Sequence, residues 1–203
     1  MTARRSLGSL GIGRRRALAV IGGMLLTIPF RRRAAAEDVA VPISVQIELL
    51  ARVVKYDRNA LARMGATCKV LIVCRDGDNA SRQAATHSRT ELGKLDDIAG
   101  LPVVVTEYRW VDADALRKRC TDDGIGLALL TPGLSDQVAA IAAACVDDDL
   151  LTVSLLATDV PAGIVLGFSL ESSRPTIVVN LRQARRQNVD FSARLLAIAK
   201  VIE

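Results

Sequence analysis

The chain alternates between two hydrophobic periods. Between Pro42 and Gly65 the apolar positions Val45, Leu49, Leu50, Val53, Val54, Leu61 and Met64 recur three and four residues apart, the spacing that lines one face of a helix. Pro42 suits the start of that helix and Gly65 its end. From Cys68 to Cys74 (CKVLIVC) the pattern becomes a β-branched run, followed by the turn Asp76-Gly77-Asp78 and a helix capped at Ser81 that reaches Leu92. Further strands fall at Leu101–Arg109, Ile125–Leu130 and Leu150–Leu156, separated by helices at Asp112–Cys120 and Leu134–Cys145. Near-continuous apolar strands between helices of ten or so residues predict a parallel sheet covered on both faces. The last quarter differs. Ile164, Leu166, Phe168 and Leu170 alternate with smaller residues, Glu171–Pro175 turn the chain, and Thr176–Asn180 returns, which predicts an antiparallel hairpin. A final helix over Phe191–Ile202 places Phe191, Leu195, Ile198 and Ile202 on one stripe. The expected fold class is α/β, a mostly parallel sheet flanked by helices, with a C-terminal antiparallel hairpin and a closing helix.

Charge divides the chain in two. The whole carries 27 Lys+Arg against 22 Asp+Glu, yet residues 1–36 hold eight arginines and no acid, leaving 19 bases and 22 acids in residues 37–203, a net of −3. Nucleic-acid binding needs a basic face to meet phosphates, and the body has no such excess, so that class of partner is set aside. In the leader, two arginine clusters precede an apolar stretch from Ala17 to Phe30, and Ala34-Ala35-Ala36 follow. This is the layout of an export signal over residues 1–36. Arg14-Arg15-Arg16-Ala17-Leu18 is similar in part to a twin-arginine signal, with Ala17 where Phe is preferred. The apolar stretch is shorter than the roughly 20 residues of a spanning helix, so cleavage after Ala36 is expected, with an uncleaved anchor as the alternative. Either way residues 37–203 form a single domain outside the cytoplasm, in the periplasm.

Four cysteines suit that compartment. Cys68 and Cys74 lie about 20 Å apart along one strand, and a disulfide tolerates about 7 Å between α-carbons, so they cannot bridge each other. Cys74–Cys120 is the first pairing expected and Cys68–Cys145 the second, with buried thiols as the other reading.

Catalytic equipment is thin. The only histidine, His87, lies in a polar stretch of a surface helix, which leaves Ser-His-Asp and Cys-His chemistry without a base. No cysteine or histidine spacing suggests a metal site, and neither a dinucleotide fingerprint nor a phosphate-binding loop is present, so no cofactor is expected. Asp76-Gly77-Asp78-Asn79 opens like a calcium loop, but its twelfth position is His87. Asp147-Asp148-Asp149 reads as a solvated charge run. Asp57 is more informative, because it falls on the apolar stripe of Leu50, Val54, Leu61 and Met64, and a charge there needs a partner. Tyr56, Asp57, Arg58 and Asn59 either form a contact surface or ligand pocket, or mark a kink with Asp57 paired to an arginine of the sheet. Trp110, beside Tyr108 and Arg109 at a strand end, is the best candidate for an exposed hot spot, against a semi-core role. A binding role therefore outranks an enzyme.

The C-terminal quarter carries a resemblance. Gly163 through Glu171 (GIVLGFSLE), the turn to Arg174 and Pro175, Thr176 through Leu181, Ala184 and Arg185, Phe191 and Ser192, and Leu195 through Val201 together resemble the closing motif of the YfiR family, over about forty residues. The resemblance implies a small periplasmic α/β protein, non-enzymatic, often dimeric and disulfide-bonded, that restrains an inner-membrane diguanylate cyclase by binding its periplasmic part. A homodimer is a second partner it allows. Two segments depart from the family. Its aromatic-rich first helix ending in Trp-Pro is replaced by Leu49–Asn59 with only Tyr56, and its glycine-rich Asp-Pro-Phe segment by Asp76–Asn79. A rival reading is a solute-binding module using the carboxyl ends of the strands, near Asp76–Ser81 and Thr131–Ser135.

Overall fold

In the computed structural model, which describes residues 41–203, the chain builds one sheet of seven strands. They are β1 (Cys68–Cys74), β2 (Val103–Arg109), β3 (Leu127–Leu130), β4 (Leu151–Ser154), β5 (Leu166–Glu171), β6 (Arg174–Asn180) and β7 (Lys200–Ile202), in the order β2-β1-β3-β4-β5-β6-β7. All neighbours are parallel except the β5–β6 hairpin, where Leu166 faces Val179 and Glu171 faces Arg174. The predicted leader lies outside the described residues.

The sheet divides the core. Cys68, Val70, Ile72 and Cys74 of β1 face a layer built from α1 (Ile43–Val54) and α3 (Asn79–Leu92). Leu71 and Val73 face the opposite layer, with α4 (Ala113–Asp123) and α5 (Val138–Ala144). This period-2 division is why the central strands read as continuous apolar runs. Capping fixes the helix starts. The Asp78 carboxylate accepts the Ser81 N–H at 3.0 Å and Asp112 accepts that of Ala115 at 2.7 Å. The cap of α3 is thus Asp78 rather than Ser81, which sits buried inside the first turn. Gly124, at φ +60°, ends α4 in the left-handed conformation.

Two helices differ from expectation. The single helix of Pro42–Gly65 is α1 followed, after a break, by α2 (Ala60–Met64). Leu61, one of its stripe residues, is 60 % exposed. The closing helix of Phe191–Ile202 is one turn, α7 (Ala193–Leu196), and then β7, which pairs in parallel with Val178–Asn180 of β6. Phe191 and Leu195 are buried as expected, but Ile198 is 68 % exposed, so the stripe stops half-way. Unpaired backbone groups on the outer edge of β6 give the last residues a better partner than a further helical turn. A short helix, α6 (Leu181–Arg186), follows β6 and is capped by the Asn180 side chain, which accepts the Gln183 N–H at 2.9 Å.

Candidate functional site

The break between α1 and α2 is built around Asp57. Its carboxylate side chain is fully enclosed, and the Arg63 side chain that pairs with it is 1 % exposed. Oδ1 also accepts the Asn59 N–H and the Asp190 N–H, each at 3.0 Å. Backbone bonds run alongside, from the Arg58 N–H to the Asp190 carbonyl and from the Ser192 N–H to the Tyr56 carbonyl, each at 2.9 Å. Arg63 then donates to the Asn188 carbonyl at 3.0 Å. The kink expected from the sequence is present, but its arginine comes from α2 and not from the sheet. An enclosed carboxylate cannot touch a partner, so Asp57 positions its neighbours. Tyr56, beside it, remains exposed.

Strand β2 forms one edge of the sheet. Tyr108 and Trp110 are half-buried against the α4–α5 layer, and the Trp110 N–H continues the ladder to the Cys74 carbonyl at 2.8 Å. Burial, with Asp112 and Cys120 beside it, pushes the Tyr108 phenol above its usual pKa. On the same side of β2, Val104 is 49 % exposed and lines a shallow groove of about 410 Å³ with Lys69, Thr106 and Ile125. Val111, just beyond the strand, is 68 % exposed. The sequence singles out Trp110 and Tyr108; the groove below them needs the sheet order to be seen.

The carboxyl ends of β1 and β3 are closed by internal bonds. The Arg75 N–H donates to Ser81 Oγ at 2.8 Å, Ser81 and Thr131 hydroxyls lie 2.7 Å apart, and Thr131 donates to the Val73 carbonyl at 2.9 Å. Arg75 reaches across to hold Asp136 with both terminal nitrogens, at 2.6 and 3.0 Å, and that hydrogen bond lowers the Asp136 pKa. Asp159 takes up Ser135 at 2.8 Å and Ser154 at 2.6 Å. Of the acidic run, Asp148 pairs with Arg117 and Asp149 accepts from Asn188, while exposed His87 stands 3.4 Å from Glu91. Among the described residues no cluster of His, Cys, Asp or Glu could hold a metal ion.

Both expected disulfides are corrected. All four thiols are free. Cys74 faces the α1–α3 layer and Cys120 the α4–α5 layer, and the same division separates Cys68 from Cys145. Each pairing would have to pass through the sheet, which the sequence spacing does not show. Burial pushes the thiol pKa of Cys68 up to about 11 and those of Cys120 and Cys145 up to about 12, and raises that of Cys74. The thiolate is the nucleophile, so at pH 8 iodoacetamide should leave all four unlabelled in the folded protein and label all four in denaturant, read by mass spectrometry. Rapid labelling of the native protein would show that a thiol is not enclosed.

Compared with known proteins, residues 44–200 match the family profile described as YfiR/HmsC-like. The chain belongs to the YfiR/HmsC-like family. That match covers every strand of the sheet except the last two residues of β7, and with it the closing motif from Gly163. The YfiR-like family is periplasmic and regulatory rather than catalytic, acting in cyclic di-GMP signalling. A search of curated proteins by sequence finds no match. Among solved structures, the chain is similar to an ABC domain in complex with L-Trp from Streptococcus pneumoniae, at TM-score 0.57 and 11 % identity over 79 % of this chain and 62 % of that one. It is similar also to a conserved domain protein from Vibrio cholerae, at TM-score 0.54 and 10 % identity over 80 % and 60 %. A third is the ligand-free, open form of CD0873, a substrate binding protein with adhesive properties from Clostridium difficile, at TM-score 0.52 and 10 % identity over 80 % and 60 %. The chain spans about three fifths of the length of each. These likenesses establish the α/β fold.

Proposed function

We propose that this YfiR/HmsC-like protein is an exported regulator that binds and restrains an inner-membrane signalling protein, a diguanylate cyclase, through that protein's periplasmic part. Family membership supports the signalling role, and the observation that carries the site is the half-exposed stripe of Val104, Tyr108 and Trp110 on β2. Aromatic side chains with one face packed and one face open supply contact area at low entropic cost. Restraint follows if this surface has higher affinity for the cyclase in its inactive state. Tyr56, exposed at the α1–α2 joint, is a second contact, and Asp57 acts by holding it in place. The domain stands as residues 37–203, with residues 1–36 as its export signal.

The rival, a solute-binding module, has less support, because the strand-end crevice where such sheets take ligands is bridged by Arg75–Asp136 and by Ser81–Thr131. The test is capture of the cyclase from detergent-solubilised membranes by the wild-type protein and by Trp110→Ala. A central aromatic anchor is worth about 2 kcal/mol or more. Binding should fall at least about 30-fold, with cellular cyclic di-GMP rising in parallel. Unchanged capture and signalling would remove β2 from the interface.

A further inference from the structure

The loop between β4 and β5 is held from two sides. Gly163, at φ +128°, brings its backbone so near α5 that a Cβ there would stand 2.5 Å from the Ala142 Cβ. On the other side the Asn180 Nδ2 donates to the Val160 carbonyl at 2.9 Å. A third bond joins the two helices, because the Gln183 Nε2 of α6 donates to the Ala142 carbonyl of α5 at 3.0 Å. Loop, α5 and α6 together frame a pocket of about 270 Å³. Its charge is one-sided. Arg182 and Arg186 line it and no acid does. Both arginines are exposed, and among the described residues neither meets a carboxylate side chain; Arg182 reaches the Glu203 carbonyl at 3.1 Å and the Arg186 side chain donates to nothing. Gln183 is only 4 % exposed, yet its Oε1 accepts no bond among the described residues and is not enclosed, so it opens on the pocket. Because Nε2 is committed to Ala142, the end of the amide left for the pocket is an acceptor.

We infer that this pocket binds the C-terminal residue of a peptide that ends in a small side chain. The terminal carboxylate pairs with Arg186, with Arg182 beside it, since the guanidinium fork matches a carboxylate. The backbone N–H of the same residue donates to Gln183 Oε1, and its side chain packs on Ala142 and Ala143, which make the α5 wall. Other ligands satisfy only part of this set. A sulfate meets the guanidiniums but offers Oε1 no donor. A free amino acid offers a donor, but it brings an ammonium up to two guanidiniums with no acid in the lining to offset it. An acylated N–H carries no charge, which singles out the end of a peptide. At about 270 Å³ the pocket falls below the usual range for drug-sized ligands, so it suits a chain end better than a whole cofactor.

The pocket lies beside β4, β5 and β6, and the proposed receptor stripe on β2 at the far edge of the sheet, so neither reading rests on the other. The test titrates isotope-labelled protein, purified from the periplasmic fraction of an expressing host, with N-acetyl-alanyl-alanine and follows the amide NMR signals. The titration runs to about 10 mM, above the millimolar dissociation constant expected of a few hydrogen bonds. The N–H signals of Ala143 and Gly163 should move and saturate. The same dipeptide as its C-terminal amide, free alanine and sulfate should each bind at least about 10-fold more weakly. Arg186→Glu should cause a loss of that size, and so should Ala143→Phe, which fills the pocket from an exposed position of α5. An unchanged melting temperature shows that each variant folds. No saturable shift, equal binding of the amide, of alanine or of sulfate, or wild-type binding by both variants would each overturn the assignment. Capture of the cyclase is read separately, so the failure of one reading leaves the other standing.

Discussion

Asp57→Ala should lower the stability of the domain by about 3–5 kcal/mol, the cost of removing one partner from a fully enclosed ion pair. The reason lies in what the carboxylate leaves behind. Arg63 would keep its charge in a pocket without water, its Nε already lacks a partner, and the N–H groups of Asn59 and Asp190 would lose their acceptor. The measurement is urea unfolding, with a lower midpoint at an unchanged slope. Arg58→Ala is the matched control. Its bridge to Asp190 at 3.0 Å is half exposed on both sides and should contribute less than about 1 kcal/mol. If the two variants lost the same small amount, water would have to reach Asp57, and the joint would be a surface feature.

Gly163→Ala should be nearly as damaging, for a different reason. Gly163 has φ +128°, a conformation open to glycine and scarcely to other residues, and a Cβ built there would stand 2.5 Å from the Ala142 Cβ of α5. Backbone strain costs about 1–3 kcal/mol, and overpacking adds about 1–3 kcal/mol. For a domain of this size the sum, about 2–6 kcal/mol, lowers the melting temperature by about 4–24 °C. Adding Ala142→Gly removes the collision and leaves the backbone strain, so the double variant should recover part of the loss and not all of it. A melting temperature within about 1 °C of wild type for Gly163→Ala alone would show that α5 moves aside freely.

What could be read in the sequence follows from what is local. The strand Cys68–Cys74 lies where its β-branched run predicts, because the turn at Asp76–Asp78 and the apolar continuity are both short-range signals. The hairpin of β5 and β6 is legible for the same reason. The cysteine pairings were not legible, because which layer a thiol joins depends on strand parity and on which side of the sheet each crossover passes, and spacing along the chain carries neither. Asp57 shows the boundary between the two. Its misplaced charge announces a kink, while the identity of its partners, Arg63 six residues on and the Asp190 N–H at the far end of the domain, belongs to the tertiary fold. The stripe of Phe191, Leu195, Ile198 and Ile202 is a true helical period for its first turn only. An open strand edge on β6 outweighs it thereafter, and no pattern within those twelve residues announces that edge.

The Asp57 joint also governs when this protein can fold. Its carboxylate waits for the N–H of a residue 133 positions later in the chain, so the joint after the first helix stays unsealed until nearly all of the polypeptide has been delivered. Contacts of that separation slow the search for the native state and make it all-or-none, since loop closure must be completed before the contact gives anything back. A domain built this way has no half-finished form with this joint in place. A chain cut short before residue 188 would lack the acceptor and donor groups that seal α1 and α2 and would offer the cell a substrate for proteases in place of a folded domain.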